Sequence, residues 1–485
     1  MNQQSSIAQL EQSTIQAIPQ SERHGNARDL FTIWFGSNIT LLTIVTGALA
    51  VTVFRQPFWW GVLGIVIGTL VGAVFMALHS AQGPQLGVPQ MVQTRGQFGS
   101  FGSLLIVCLV VIMYEGFFAS NIVLSGQALC SLTSAVTVNQ GVIVIGALSL
   151  VAAVFGYNLI HAYARLMTWC SGLVLLLAFV WITLVHGLPA DFFTRNAPNL
   201  TGFLSTISIA ALWQIAYAPY VSDYSRYLPV TTDARVVFWA SYWGCSLGSI
   251  FPMVLGIVVG LSGADGNVVN GLTNLTRGIS VLVVIVLSLG IAAANAMNLY
   301  CGTLSTIAVV QTLFPGWSGK ARARAIIAMV LCSLSLAMAL FGQRDFLAKY
   351  TNFILLLLYV LVPWTAINLV DYYFVRHGQY DVDSFFRRDG GIYGYFNGSA
   401  IFSYLFGILV QLPFIATDVY TGTAAKRMGG TDISWLIGLV LTSLVYYVCC
   451  KIYPARELPL RPDRRSRIYF ECAATRPEAN SNGDR

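Results

Sequence analysis

The chain has 485 residues, of which 56% are hydrophobic and only 10% charged, with a mean hydropathy of +0.68. Soluble domains carry about a quarter of their residues charged, so these proportions exclude a soluble globular fold and define an all-α polytopic membrane protein. The net charge of +7 does not point to nucleic acid, because the basic residues are scattered between apolar runs and become dense only after Lys451, as expected of a topology signal and of attraction to anionic lipid.

Residues 1–29 are polar, show no cleavable signal peptide and read as a disordered cytoplasmic tail. Twelve apolar windows follow, at 30–54, 57–79, 101–130, 140–158, 162–186, 202–228, 236–261, 279–312, 323–342, 346–370, 400–420 and 433–453. Each suits a membrane-spanning helix, and they are called spans one to twelve. Spans one to ten, residues 30–370, form a candidate transport core, followed by a charged loop at 371–399, spans eleven and twelve over 400–453, and a second polar tail at 454–485. An even number of spans puts both termini on one side. Of the 27 Lys and Arg, all but Arg55, Arg195, Arg277, Arg344, Lys349, Lys426 and Arg427 then share that side, which places the termini in the cytoplasm of a cell bounded by this membrane.

The nine cysteines lie mostly within apolar stretches, with no C-x-x-C and no metal-like pairing with the five histidines; they read as small core residues. Nothing resembles a P-loop, H-E-x-x-H or G-x-S-x-G motif. Neither ATP-driven pumping nor hydrolase chemistry has visible machinery, so the expectation is no enzyme activity, cofactor or metal. Function is expected between the helices.

Two spans look interrupted. Span one places Gly36, Ser37 and Asn38 in a row well before its apolar run ends. In span six, AYAPYVSDYSRY, Pro219 has no amide proton and frees carbonyls near residues 215 and 216. These spans head two successive blocks of five, the arrangement of inverted repeats with a binding site near the membrane midplane. A half-helix starting near Tyr220 would favour Ser222 and Asp223 in its first turn, with Arg226 one turn on able to pair with Asp223. A cap with an ion pair and direct substrate contact are both open readings for these charges.

Span three carries Glu115, Phe117 and Asn121. The last two, four residues apart, share a helix face. A flat ring beside a carboxamide suits a planar heteroaromatic ligand, which would stack on one and bond the other; Asn121 could instead bond a neighbouring helix. Glu115 is an ionisable group deep in a span, a candidate for proton or ion transfer or a hydrogen-bonded structural residue. In span eight, Asn295 and Asn298 are three apart among small residues, a plausible recognition edge for a base.

The stretches DLFTIWFGSNI (29–39), YEGFFASNIVLSGQAL (114–129), APYVSDYSRYLP (218–229) and ANAMNLYCG (294–302) resemble the nucleobase:cation symporter family 1, particularly its purine and cytosine permease branch. The resemblance implies a LeuT-type fold of twelve helices with a 5+5 inverted repeat, broken helices one and six, and a ligand between spans one, three, six and eight. It implies substrate contact by Ser37, Phe117, Asn121, Trp213, Asn295 and Asn298. Phe117 stands where the family often has a stacking Trp. Sodium-coupled relatives tend to carry hydroxyl residues before the span-eight asparagines, where this chain has Ile291, Ala292, Ala293 and Ala294, and an alanine side chain cannot ligate a hard cation.

The expectation is a secondary active importer of nucleobases, cytosine or purines, in the plasma membrane, coupled to H+ through Glu115 with Na+ as the alternative. Backbone carbonyls at the span-one break with Ser288 or Thr303 could still build a sodium site. Its partners are the nucleobase and the lipid bilayer, with no nucleic acid and no obligate protein partner. Allantoin, hydantoins, thiamine precursors and pyridoxine are alternative substrates, and an uncoupled channel or receptor on the same fold is the rival class.

Overall fold

The computed structural model describes residues 15–155, 157–263, 267–314, 316–317, 321–417 and 420–454; the rest of the two polar tails, 1–14 and 455–485, lies outside them. Among the described residues, nine helical segments are long and apolar enough to cross a membrane. A tenth span is the bent pair Ala27–Asn38 and Leu41–Thr52, and Val138–Val154 and Gly398–Phe414 are shorter apolar helices. Together they occupy the twelve windows. Large apolar side chains such as Trp169, Leu173, Leu184 and Phe341 are left exposed around the outside, where lipid rather than water is the natural solvent.

Span one is broken by 62°, but not at Gly36. The first half runs through Gly36, Ser37 and Asn38 and stops at Ile39; Thr40 then caps the second half, its hydroxyl accepting from Thr43 N at 3.4 Å. Gly36 stays helical because its role is close approach: a Cβ there would lie 2.0 Å from Thr168 Oγ1 on span five. Span six is interrupted where Pro219 demanded it. The helix Leu200–Ile215 ends, a 3-10 turn covers Ala218–Tyr220, and a helix of only five residues, Val221–Ser225, follows. The Tyr114 hydroxyl donates to Pro219 O at 2.9 Å, satisfying one carbonyl of the break.

The spans pack in two groups. Spans one, two, six and seven contact one another, as do three, four, eight and nine, while span five lies against one and eight, and ten packs with eleven and twelve. In lipid, helices associate through close packing of small residues. Gly64, Gly68 and Gly72 form such a stripe on span two, where a Cβ on Gly68 would sit 2.2 Å from Ile207 O and one on Gly72 2.3 Å from Ala211 O of span six.

The polar segments are more ordered than their composition suggests. Residues 15–26 do not form a disordered tail: Ile15 and Ile18 are buried, Ile18 N donates to Gly87 O at 3.0 Å, and Arg23 donates to Pro84 O at 2.6 Å. Two apolar residues and one arginine suffice to dock it. In the 371–399 loop, Asp371 and Arg376 pair at 3.2 Å, Tyr446 of span twelve donates to Asp371 at 2.8 Å, and Tyr380 donates to the same carboxylate. Arg376 also lies over the Tyr393 ring.

Candidate functional site

Where the two groups of spans meet, a cavity is lined by Ser37, Thr40 and Leu42 of span one, Phe117 and Asn121 of span three, Trp213, Ala216, Tyr217 and Tyr220 of span six, and Ala294, Met297 and Asn298 of span eight. Five of the six expected contact residues therefore line one space. Its volume is about 30 Å³, room for one or two waters, whereas a cavity that takes up benzene measures about 150 Å³. A planar ring enters only if the wall moves.

Asn295, the sixth, lies behind the wall and organises it. Its Nδ2 donates to the backbone carbonyl of Phe118 at 3.1 Å, and that carbonyl can only accept, so the amide has one orientation. Its Oδ1 then faces Asn121 Nδ2 at 2.8 Å and Asn298 Nδ2 at 3.1 Å. Both neighbours are forced to spend a donor on it, which turns their carbonyl oxygens away. Asn298 Oδ1 accepts from the Tyr220 hydroxyl at 2.6 Å. Asn121 Oδ1 is buried with no partner among the described residues, and such an acceptor calls for a donor from a ligand.

The apolar walls are equally fixed. Trp213 spends its only donor, Nε1–H, on Asn38 Oδ1 at 2.7 Å; Ser249 donates to the same oxygen at 2.8 Å, and Gln214 donates to Ser249 at 2.8 Å. This ties the span-one break to spans six and seven and leaves Trp213 only its ring to offer. Phe117 and Trp213 have ring centroids 6.0 Å apart and planes at 85°, so a planar ligand can lie parallel to one and must meet the other edge-on. Phe353 of span ten packs edge-on against Phe117, with ring centroids 5.5 Å apart. Tyr217 and Tyr220 escaped the sequence reading, although their position flanking Pro219 was a usable signal. Thr40, Leu42 and Met297 had none.

The charged candidates stand elsewhere. Glu115 is not in the lining; its carboxylate accepts from the Ser335 hydroxyl of span nine. Asp223 Oδ1 accepts from Gln90 N at 2.8 Å, at the start of the helix Gln90–Phe98, so it caps a neighbouring helix. Arg226 is fully buried, lies over the Tyr227 ring and donates to Tyr300 OH at 3.3 Å. Of the possible sodium ligands, Thr303 bonds Leu299 O at 2.6 Å within its own helix, and Ser288 Oγ is buried without a partner.

A vestibule of about 770 Å³ opens on the face opposite the N-terminal segment, lined by Val45, Leu124, Thr351 and Leu355 among others. Leu124 and Val45 each lie three residues beyond cavity-lining positions, Asn121 and Leu42, so about one helical turn separates the two spaces. Towards the N-terminal face the path is filled by polar ties: Gln82 Nε2 to Asn368 Oδ1 at 2.8 Å, and Ser225 Oγ to Ser80 O at 2.8 Å.

A buried cavity between two broken helices, with a vestibule about one helical turn away on one face and polar ties on the other, is the architecture of a transporter rather than an enzyme. Residues 17–438 match the family model described as permease for cytosine/purines, uracil, thiamine, allantoin. The chain belongs to that family, the nucleobase:cation symporter family 1. It is 42% identical over 446 residues, 91% of this chain and 96% of the other, to a Bacillus subtilis protein named "Putative purine-cytosine permease YxlA". It is 22% identical over 460 residues, 90% of this chain and 87% of the other, to the purine-cytosine permease fcyB of Emericella nidulans. Its fold matches that of Mhp1, a nucleobase-cation-symport-1 family transporter solved in a closed conformation with bromovinylhydantoin bound, with a TM-score of 0.74 and 18% identity over 93% of this chain and 98% of that one. The fold is thus the LeuT type, with spans one and six as its broken helices.

Proposed function

We propose that this transporter imports nucleobases, cytosine or purines, across the plasma membrane against their gradient, with both termini in the cytoplasm. The observation that carries the substrate class is the orientation imposed by Asn295, which leaves Asn121 with an unpaired buried acceptor and Asn121 and Asn298 each with a second amide donor. A nucleobase edge alternates N–H and C=O or ring nitrogen, so it can satisfy both polarities while one of its faces lies on Phe117 or Trp213 and the other ring meets it edge-on. No Lys or Arg lines the cavity, and a phosphate buried there without a cation would be prohibitively costly.

The proposed orientation makes the 770 Å³ vestibule extracellular, so this conformation faces outward with its substrate site contracted. Coupling is proposed to be to protons. Ile291, Ala292, Ala293 and Ala294 supply no side-chain oxygen, and Glu115 is a buried carboxyl at the junction of spans three and nine. The substrate proposal is tested by competition for uptake with a panel of free bases, nucleosides, nucleotides, hydantoins and vitamin rings. Free bases should compete, nucleosides weakly and nucleotides not at all. Strong competition by a nucleotide would refute it, and competition confined to hydantoins or vitamin rings would move the substrate to those classes.

A further inference from the structure

We propose that the protein has a second binding site, for a phosphate group, built around Arg95 at the end of the molecule where the N-terminal segment packs. Arg95 lies between spans two and three, on the helix Gln90–Phe98, and is only 6% exposed. Its hydrogen-bond partners among the described residues are neutral: Phe385 O at 2.8 Å, Ala308 O at 2.7 Å and Thr312 Oγ1 at 2.9 Å. Burial pushes its guanidinium down to about 10, which still leaves it charged at neutral pH. No carboxylate among the described residues pairs with it. A buried charge normally has a counter-charge, and here two of the five N–H donors, on Nε and Nη1, have no acceptor among the described residues.

Those donors belong to a residue that lines a cavity of about 280 Å³, together with Ser100, Thr312, Trp317, Arg387 and Arg388. Arg387 is already paired with Asp389, at 3.0 and 2.8 Å, on the exposed rim. Arg388 is exposed and has no such pair among the described residues, so the cavity keeps the charge of Arg95 and Arg388. The hydroxyls of Thr312 and Ser100 already donate to Ala308 O at 2.9 Å and Gly394 O at 3.5 Å, so the donors on offer are the guanidinium forks of Arg95 and Arg388, which match the geometry of phosphate. The central transport cavity, by contrast, is lined by no cation. A phosphate held here would bridge the helix Gln90–Phe98, through Arg95, to the 371–399 loop, through Arg388.

The phosphate could come from an anionic lipid headgroup or from a soluble molecule, and binding by the full-length, delipidated protein in an uncharged detergent separates the two. The probes are inorganic phosphate, adenosine monophosphate and short-chain phosphatidylglycerol, with phosphatidylcholine as control, read by titration calorimetry. At least one anionic probe should bind saturably and more weakly as salt is raised. Arg388→Gln should weaken it about tenfold, in line with loss of a charged hydrogen bond, Arg95→Gln should abolish it, and Asn121→Ala should leave it unchanged. Binding of phosphatidylglycerol alone identifies lipid as the source, and binding of phosphate or the nucleotide a soluble one. Absence of saturable binding by all three anions, or binding that Arg388→Gln leaves untouched, overturns the proposal. Arg388 is exposed, so that variant decides the matter even if Arg95→Gln does not fold.

Discussion

Asn295 illustrates how a residue can govern a site without touching its ligand. Asn121→Ala removes an acceptor and a donor from the cavity and should weaken nucleobase binding by roughly 0.5 to 1.5 kcal/mol, about two- to tenfold in apparent affinity. Asn295→Ala strands two groups at once, an N–H of Asn121 and one of Asn298, each costing about 1–3 kcal/mol if left unsatisfied, while Phe118 O keeps its partner within the helix Ser103–Leu132. It should therefore weaken binding at least as much as Asn121→Ala, as measured by uptake competition and by ligand-induced thermal shift; a neutral Asn295→Ala would refute the orienting role. Phe117→Ala should abolish uptake, whereas Phe117→Trp should retain it or shift ring preference, and equal behaviour of the two would remove the stacking argument. The i, i+4 spacing of Phe117 and Asn121 put both on one face in the sequence, and the structure places both in the lining. The i, i+3 spacing of Asn295 and Asn298 could not tell the lining residue from the one behind it, because that depends on how span eight is rotated against span three.

At the scale of elements, covalent constraints were legible and packing constraints were not. Pro219 cannot donate a backbone bond, and the span-six helix does end within four residues of it. Gly36 permits a break without requiring one, and here it is used for contact with span five while the helix ends at Ile39. The five residues of Val221–Ser225 make a shorter second half than the sequence suggested. Residues 15–26 looked like solvent-exposed tail because only two of their side chains, Ile15 and Ile18, pay for ordering the segment. The glycine stripe of span two yields a prediction. Gly68→Ala would put a methyl 2.2 Å from a backbone oxygen of span six, so the helices must part, at about 1–3 kcal/mol. Gly146→Ala meets only the end of the Leu336 side chain, at 2.8 Å, which can rotate. In detergent, thermal denaturation should show a clear loss for the first and little for the second; equal losses would mean that close approach of spans two and six is not what this glycine provides.

For the whole molecule, the twelve spans could be read from hydropathy, and their grouping into two sets around a cavity could not, because every apolar face looks alike until its partner is known. The grouping is what would allow the proposed alternating access: the vestibule lies on one side of the cavity and the Gln82–Asn368 and Ser225–Ser80 ties on the other. Import then requires those ties to open as the vestibule closes, with a driving force that biases the cycle. One proton moving through 100 mV supplies about 2.3 kcal/mol, and one pH unit adds about 1.4 kcal/mol, together enough to concentrate a neutral solute several hundredfold, to order of magnitude. The most direct test is accumulation of labelled cytosine or a labelled purine in sealed vesicles carrying the protein, energised separately by a proton gradient or a sodium gradient. The proposed mechanism predicts uptake above equilibrium with the proton gradient alone, abolished by a protonophore and insensitive to replacing sodium with choline. Uptake that follows sodium alone would overturn the coupling and leave Glu115 a structural residue, and mere equilibration under both gradients would contradict secondary active transport itself.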